Sequence, residues 1–466
     1  MKPVRLTALV LAIGAAFPAA AQSNEDLLKE LRALRDRVTE LEKKLAAQPA
    51  AAPAPQAGQW GMTPEQAQEL ARIGTKTEAL QDNFEAQGFK GLKITGQIDP
   101  TWIYNRRAND ASFVLLNRED GRYTYDNSYF GMAVLDILKE TESGTIWHLT
   151  LAPERGTGAL INGGSIIHEA SVAIPLEDLQ TRLWVGQIPD WTGYEITLPA
   201  GNKLVTHNLL FDFMAPTAYT GAVYMTTVGK WQLKGGLANV NTARNSSGNK
   251  TPSLIFRADY AKGEFSGFGF SGLHGKLHNY ATDDTDADGN AVFSDQGRNT
   301  LATLLEADAY FVRGDLSLFG QLSYGQQKKA AIYRENGLRD ARWWGLSTTA
   351  AYKLTPRMEG VVRADYVYNR KNGGGLLGYS SDDGANGIGR GLALDADGNV
   401  VLAGDPSKGA NRYALTVGAN YRYDENTLFK LEYRYDGATQ AVFEDLKDGG
   451  YSKNNHLLGA SVVVSF

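Results

Sequence analysis

The sequence predicts an all-β fold: a sixteen-stranded antiparallel transmembrane β-barrel preceded by an α-helical coiled coil. Three observations carry that expectation. From Gly91 onward the chain divides into an even number of segments of about ten residues with period-two alternation. The links between them alternate between short turns and long polar loops. An export signal stands at the amino terminus, yet no apolar run reaches the roughly 18 residues that a spanning helix needs.

Composition agrees. Among 466 residues there are 51 Gly, 22 Tyr and 8 Trp, which suits many short strands, tight turns and interfacial aromatic belts. Cysteine is absent, which excludes disulfides, thiolate metal sites and cysteine nucleophiles and suits an oxidising compartment. The formal net charge of -5 is too small to point to nucleic acid.

Lys2 and Arg5 precede an apolar stretch, and Pro18-Ala19-Ala20-Ala21 supplies a cleavage site, so residues 1–21 read as a secretory signal peptide. Residues 22–47 read as a coiled coil, because Leu27, Leu31, Leu34, Val38, Leu41 and Leu45 are spaced alternately by four and three. Glu30 with Arg35 and Arg37 with Glu42 then pair oppositely across a parallel bundle, favouring self-association; a lone amphipathic helix is the alternative. Residues 48–62 form a Pro/Ala-rich linker. A second helix over 63–88 opens on Thr63, Pro64 and Gln66, carries Leu70, Ile73, Thr77, Leu80 and Phe84 on one face, and stops at Gly88. It can extend the stalk or plug the barrel, which occupies 89–466.

The first two strands are expected near 91–105 and 124–138, the eleventh and twelfth near 315–327 and 341–354, and the last at 453–466. Long loops fall near 106–123, 153–165, 189–218, 242–252, 280–299, 328–340, 370–410 and 437–452. If the first strand leaves the periplasm, every long loop lies outside. In the fifteenth strand Phe429, Leu431, Tyr433 and Tyr435 share one parity and Lys430, Glu432 and Arg434 the other. The charged face needs water, and the apolar face suits lipid, where a charge at mid-bilayer costs about 2–4 kcal/mol.

The coiled coil at 27–45, the entry strand Leu92-Lys93-Ile94-Thr95-Gly96-Gln97-Ile98, the strand Arg182-Leu183-Trp184-Val185-Gly186-Gln187 before a long third connection, and the terminal Val463-Val464-Ser465-Phe466 carry a resemblance. The chain resembles Gram-negative outer-membrane porins of the sixteen-stranded type, and among them phosphate-selective porin O/P-like proteins with coiled-coil amino termini. That resemblance implies a homotrimer in outer-membrane lipid with its coiled coil in the periplasm. It also implies a water-filled pore per subunit, a third loop folded inward as a constriction, and an assembly machinery that recognises Phe466. No cofactor and no enzymatic activity are expected. The third connection mixes Trp191, Tyr194, Leu209, Leu210, Phe211 and Phe213 with Asp190, Glu195, Lys203, His207 and Asp212, as a packed constriction loop would; packing at a subunit interface is the alternative.

The inward parity collects Lys93, Arg182, Arg257, Lys353, Arg363, Arg422, Lys430 and Arg434 against Asp99, Glu169, Asp259, Glu306, Asp308, Asp315, Asp365 and Glu432. These are the candidate pore-lining charges. Eight against eight predicts weak charge selectivity and departs from the ladder of basic residues that a phosphate-specific channel calls for. Three other motifs invite chemistry. Asp284, Asp286, Asp288, Asn290 and Asp295 match a calcium loop without its helices; a related Asp395-Ala396-Asp397-Gly398 favours a hairpin tip instead. Gly267-x-Gly269-x-x-Gly272 lacks the helix that a dinucleotide site needs. His148 faces Glu169 without a nucleophile, as a lumen hydrogen bond would. The expected function is passive diffusion of small hydrophilic solutes or ions. A structural envelope anchor or adhesin is the alternative, and a hydrolase built on His148 and Glu169 stands third.

Overall fold

In the computed structural model the described residues are 88–115, 130–152, 166–241, 251–263, 265–283, 292–293, 297–333, 337–377, 389–403, 405 and 407–466, with 35–36, 39, 69 and 72–79 of the amino-terminal region. Residues 35–36, 39, 69 and 72–79 are helical. The signal peptide and linker lie outside the described residues, as does most of the coiled coil and of the second helix.

The barrel wall is one antiparallel sheet of eighteen segments. Two of its strands are interrupted, so the segments make sixteen staves. They are β1 (Leu92–Ile98 and Thr101–Asn105), β2 (Asp110–Val114 and Ala133–Glu140), β3 (Ile146–Leu151), β4 (Ile167–Pro175), β5 (Arg182–Pro189), β6 (Ala218–Val228), β7 (Trp231–Asn241) and β8 (Ser253–Gly263). They continue as β9 (Ser266–His278), β10 (Asn299–Arg313), β11 (Leu316–Tyr333), β12 (Gly337–Lys353), β13 (Met358–Tyr368), β14 (Arg412–Arg422), β15 (Thr427–Ala438) and β16 (Asn454–Ser465). Each pairs with its neighbour. The ring closes where β16 also pairs with β1, Thr101 opposite Ser461 and Gln97 opposite Ser465.

The alternation that marks each strand follows from its two solvents. In β14, Tyr413, Leu415 and Val417 point outward and are 41%, 51% and 44% exposed, whereas Ala414 and Thr416 are buried inside. In β15, Leu431 and Tyr433 face out, and Lys430, Glu432 and Arg434 are buried inside. An apolar outer row satisfies lipid while every backbone N–H and C=O is spent in the closed ladder.

Two expectations about the strands are corrected. The second strand is not a single run over 124–138. Its first half, Asp110–Val114, turns back on Thr101–Asn105, and its second half, Ala133–Glu140, pairs with Leu92–Ile98. The break belongs to Asp99-Pro100, since Pro100 has no N–H for a ladder. Asp99 is 1% exposed, and its carboxylate accepts from Gly131 N at 2.8 Å and from Met132 N, stitching the interrupted strands together. Asp99→Ala should therefore cost about 1–3 kcal/mol by leaving buried donors unmet, read as a lower temperature for loss of the compact form on gels. An unchanged transition would show that the break needs no such pin.

The expected loop at 328–340 is instead the top of a long hairpin, because β11 runs to Tyr333 and β12 starts at Gly337. Lys328 and Asp340 pair there at 2.7 Å, but the ladder register shifts between Gln327 and Ala331, where Lys329 has a φ of 52°, and Ala330, Ala331 and Ile332 are buried in succession, so the alternation breaks. The Asp395-Gly398 stretch is a hairpin tip as expected: Asp395 N donates to Asn399 O at 2.9 Å between Leu392–Leu394 and Val400–Leu402.

Candidate functional site

After β5 the chain turns into the barrel and returns only at β6. The neck of this segment, residues 190–217, is closed by Asp190 N donating to Thr217 O at 3.3 Å. Tyr219 Oη donates to Asp190 at 2.6 Å, and burial pushes the Asp190 carboxyl up to about 6. Trp191 packs on Tyr219, ring centroids 4.8 Å apart. Farther on comes α1 (Leu209–Met214), capped by the Asn208 side chain, which accepts from Leu210 N and Phe211 N. Its buried Leu210 and Met214 lie against β12, where an added Cβ on Gly345 would come within 2.8 Å of Met214 Sδ.

A loop inside a barrel has no ladder partner, and buried backbone polar groups must be satisfied. The inward charges of the wall meet that need. Arg257 donates to Trp191 O at 2.6 Å and to Asp308 at 2.9 Å, with Asp259 beside it. Glu306 accepts from Gly193 N at 2.6 Å and from Ser271 Oγ at 2.6 Å. Tyr194 Oη meets Ser347 Oγ at 2.6 Å and Thr349 Oγ1 at 2.8 Å. Arg363 pairs with Glu195 at 2.9 Å and with Asp365 at 3.1 Å, and donates to Thr206 O at 2.7 Å and His207 O at 2.8 Å. Arg434 donates to His207 O at 2.7 Å and lies 3.7 Å from Asp212, whose carboxyl burial pushes well above the usual range.

Toward the short-turn end, Glu432 accepts from Val205 N at 2.6 Å and Thr206 N at 3.0 Å. Lys430 donates to Pro199 O and Asn202 O, both at 2.7 Å, and Lys203 pairs with Glu359 at 2.8 Å. Ala200 N donates to Gln97 on β1 at 3.0 Å, and Leu198 and Phe211 pack on Met132, Val134 and Ala152. The segment thus touches staves all around the ring.

These contacts correct the picture of a charged wall facing open water. Arg257, Asp259, Glu306, Asp308, Arg363, Asp365, Lys430, Glu432 and Arg434 are all buried. They hold the loop, or one another, because a guanidinium or carboxylate can supply several hydrogen bonds to a strand-free backbone. Asp99 serves the strand break. Arg182 donates to Leu179 O at 3.0 Å and to Gly144 O, fastening two turns. Lys93, Asp315, Lys353 and Arg422 are exposed at the short-turn rim. Gly269 leaves no free space either: an added Cβ would stand 2.6 Å from Asp259 Oδ1 and 2.7 Å from Arg257 Nη2.

Glu169 belongs to a different set. His148 Nδ1 lies 3.0 Å from it and Nε2 lies 2.8 Å from Asp136. The calcium candidates Asp284, Asp286, Asp288, Asn290 and Asp295 lie outside the described residues, and among the described residues no acidic or histidine cluster is arranged to hold a metal ion. Sequence reading missed Asp136, Glu359, Arg412 and Asp436. Arg412 pairs with Asp436 at 3.3 Å and its guanidinium lies 4.4 Å from the centroid of the Phe443 ring and 5.6 Å from that of Phe213, tying α1 to the last long loop. Both residues share the inward parity of β14 and β15 and lie within the stretches that read as strands, so carrying the parity count to the strand ends finds them.

A family model described as a protein of unknown function, DUF3138, matches residues 61–466. The chain belongs to the DUF3138 family. No curated protein matches it. Among solved structures this DUF3138 chain is similar to a loop L8 deletion mutant of OmpT, an outer-membrane protein of Vibrio cholerae, at 10% identity and a TM-score of 0.50, covering 80% of this chain and 99% of that one. It is also similar to Pseudomonas putida OprB at 12% identity and a TM-score of 0.50, covering 84% of this chain and 96% of that one. At such identities the likeness shows the fold: a sixteen-stranded antiparallel barrel of the outer-membrane porin type.

Proposed function

We propose that this DUF3138 protein is an outer-membrane porin, a passive channel for small hydrophilic solutes or ions whose barrel is narrowed by residues 190–217. The observation that carries this reading is the inward loop. An anchor needs only a stable barrel, and nothing in that role calls for a loop held across the lumen by so many wall charges. A sieve needs a rigid obstruction, and buried polar contacts to Arg257, Arg363, Lys430 and Arg434 supply rigidity that a solvated loop lacks. Homotrimer assembly, a periplasmic coiled coil over 22–47 and recognition of Phe466 by the outer-membrane assembly machinery belong to the same proposal and rest on the sequence resemblance.

Purified protein in planar bilayers should give stepwise ion conductance. Absence of steps, both in the intact protein and after deletion of residues 63–88, would overturn the porin reading. Light scattering in detergent should give three times the chain mass, and a monomer mass would remove the trimer.

A further inference from the structure

With most of the wall charge buried under the loop, a partly exposed ionisable pair remains among the described strand residues away from the short-turn rim. His148 on β3 and Asp136 on β2 have side chains 18% and 23% exposed, against 2% for Arg257 and 0% for Arg363 and Arg434. His148 is held from both sides, Nε2 2.8 Å from Asp136 Oδ1 and Nδ1 3.0 Å from Glu169 Oε1. Each carboxylate is steadied by a hydroxyl on that same oxygen: Thr150 Oγ1 donates to Asp136 Oδ1 at 2.5 Å and Ser171 Oγ to Glu169 Oε1 at 2.5 Å. A neutral imidazole has a single N–H, so two carboxylate contacts call for the imidazolium. The trio then carries two negative charges and one positive.

Beside this surplus lie two more basic groups, His168 and Lys234, both buried as Glu169 is, whose own side chain is 5% exposed. His168, on the same strand as Glu169, is 3% exposed and its Nδ1 has no hydrogen-bond partner among the described residues. Lys234 on β7 is 7% exposed, its ammonium 5.9 Å from the centroid of the Trp184 ring and 5.5 Å from that of Trp191, so a positive charge stands buried against the aromatic faces. The loop contributes Leu198 and Phe211 toward β2, both apolar.

We propose that Asp136, His148 and Glu169 form the charge filter of the passage, with His148 opposing the pull of the two carboxylates on cations. The inference rests on the porin reading. It gives selectivity a place on the wall, because most of the charges in the full inward count are buried under the loop. A unit charge within about 7 Å of a passing ion in water-like surroundings changes its local concentration about threefold, and this sets the size of the effects.

The test is the cation-to-anion permeability ratio from reversal potentials across a KCl gradient. The wild-type ratio is the reference. His148→Gln should raise the ratio about sevenfold, since cations gain and anions lose the same factor, and Asp136→Asn with Glu169→Gln should lower it. His148→Lys keeps the positive charge and should hold the wild-type ratio, which a merely structural role for His148 does not predict. Compact migration on gels without heating shows that each variant is folded. Stepwise channels with an unchanged ratio in both charge-removing variants would overturn the filter and leave the porin reading standing. A ratio that moves only with Lys353→Gln and Arg422→Gln would overturn it too, by placing selectivity at the short-turn rim. Absence of any steps in wild type would instead defeat the porin reading, and the filter with it.

Discussion

Replacing Arg363 with methionine is expected to release the lumenal loop and to give larger, noisier single-channel steps from a barrel that still inserts. Arg363 is 0% exposed and is the one side chain that joins Glu195, the carbonyls of Thr206 and His207, and Asp365. Methionine fills much of the volume but supplies none of the donors. Glu195 and Asp365 would keep buried negative charge with no guanidinium between them. Breaking such a pair costs about 3–5 kcal/mol because the remaining charge is left uncompensated.

Two responses are open to the protein: unfolding, or movement of the loop to water. The second is favoured, because each stave is held by ladders on both edges, whereas the loop between its ends is held by side chains. Arg363→Lys should lie between the two, since one ammonium keeps the charge but cannot span carbonyls and carboxylates as the planar fork does. Bilayer conductance reads the effect, and limited proteolysis within residues 190–217 reports exposure. Wild-type step size and wild-type protease resistance in the methionine variant would mean that Arg363 does not hold the loop.

Much of the barrel was legible because lipid and lumen impose opposite demands on neighbouring residues. Phe429 through Tyr435 reads as a stave from four outward apolar groups and three inward charges, and its pairing with β16 follows. What escaped was interruption. A period-two count passes smoothly over Asp99-Pro100 and cannot show that the ladder partner changes from Ala133–Glu140 to Asp110–Val114. Near Lys328 the count fails for another reason: the register shifts between Gln327 and Ala331, and Ala330, Ala331 and Ile332 are buried in succession, so a strand looks like a loop.

The interior was half legible. Parity alone places Arg363, Glu432 and Arg434 inward, and the apolar residues of the third connection mark it as packed. That the charges serve this connection rather than the water depends on contacts such as Arg434 with His207, 227 residues apart, which no local pattern records. Charge balance along a strand face therefore says little about permeation until the loop's own carbonyls and amides are counted against it. His148 was noticed for its neighbour Glu169, but its second partner, Asp136, lies within the expected second strand opposite Thr150, one diagonal step from His148, which a search for directly opposed residues passes over.

Gly96→Val is expected to block barrel closure more severely than any change in the lumen. Gly96 N donates to Phe466 O at 3.2 Å and Phe466 N donates to Gly96 O at 3.0 Å, so the carboxy-terminal residue is paired at the seam between first and last staves. A Cβ on Gly96 would stand 2.6 Å from the Phe466 ring and 3.1 Å from Val134 O. The ring could swing aside, since Phe466 is 61% exposed, but the carbonyl of Val134 is part of the β1–β2 ladder and cannot. Valine thus strains the seam from both sides, and an open barrel has two unpaired edges that lipid cannot satisfy.

The expected readout is loss of the compact, heat-modifiable form during refolding into lipid vesicles. Gly96→Ala should be milder, because a single methyl can be met by ring rotation. Phe466→Asp separates two roles for the same residue. If the aromatic ring matters only for recognition during assembly in cells, the aspartate variant refolds normally in vitro and fails only in the envelope. If the ring also seals Gly96, refolding slows in both settings. Normal refolding of Gly96→Val would show that the seam is closed by β16 with Thr101–Asn105 alone.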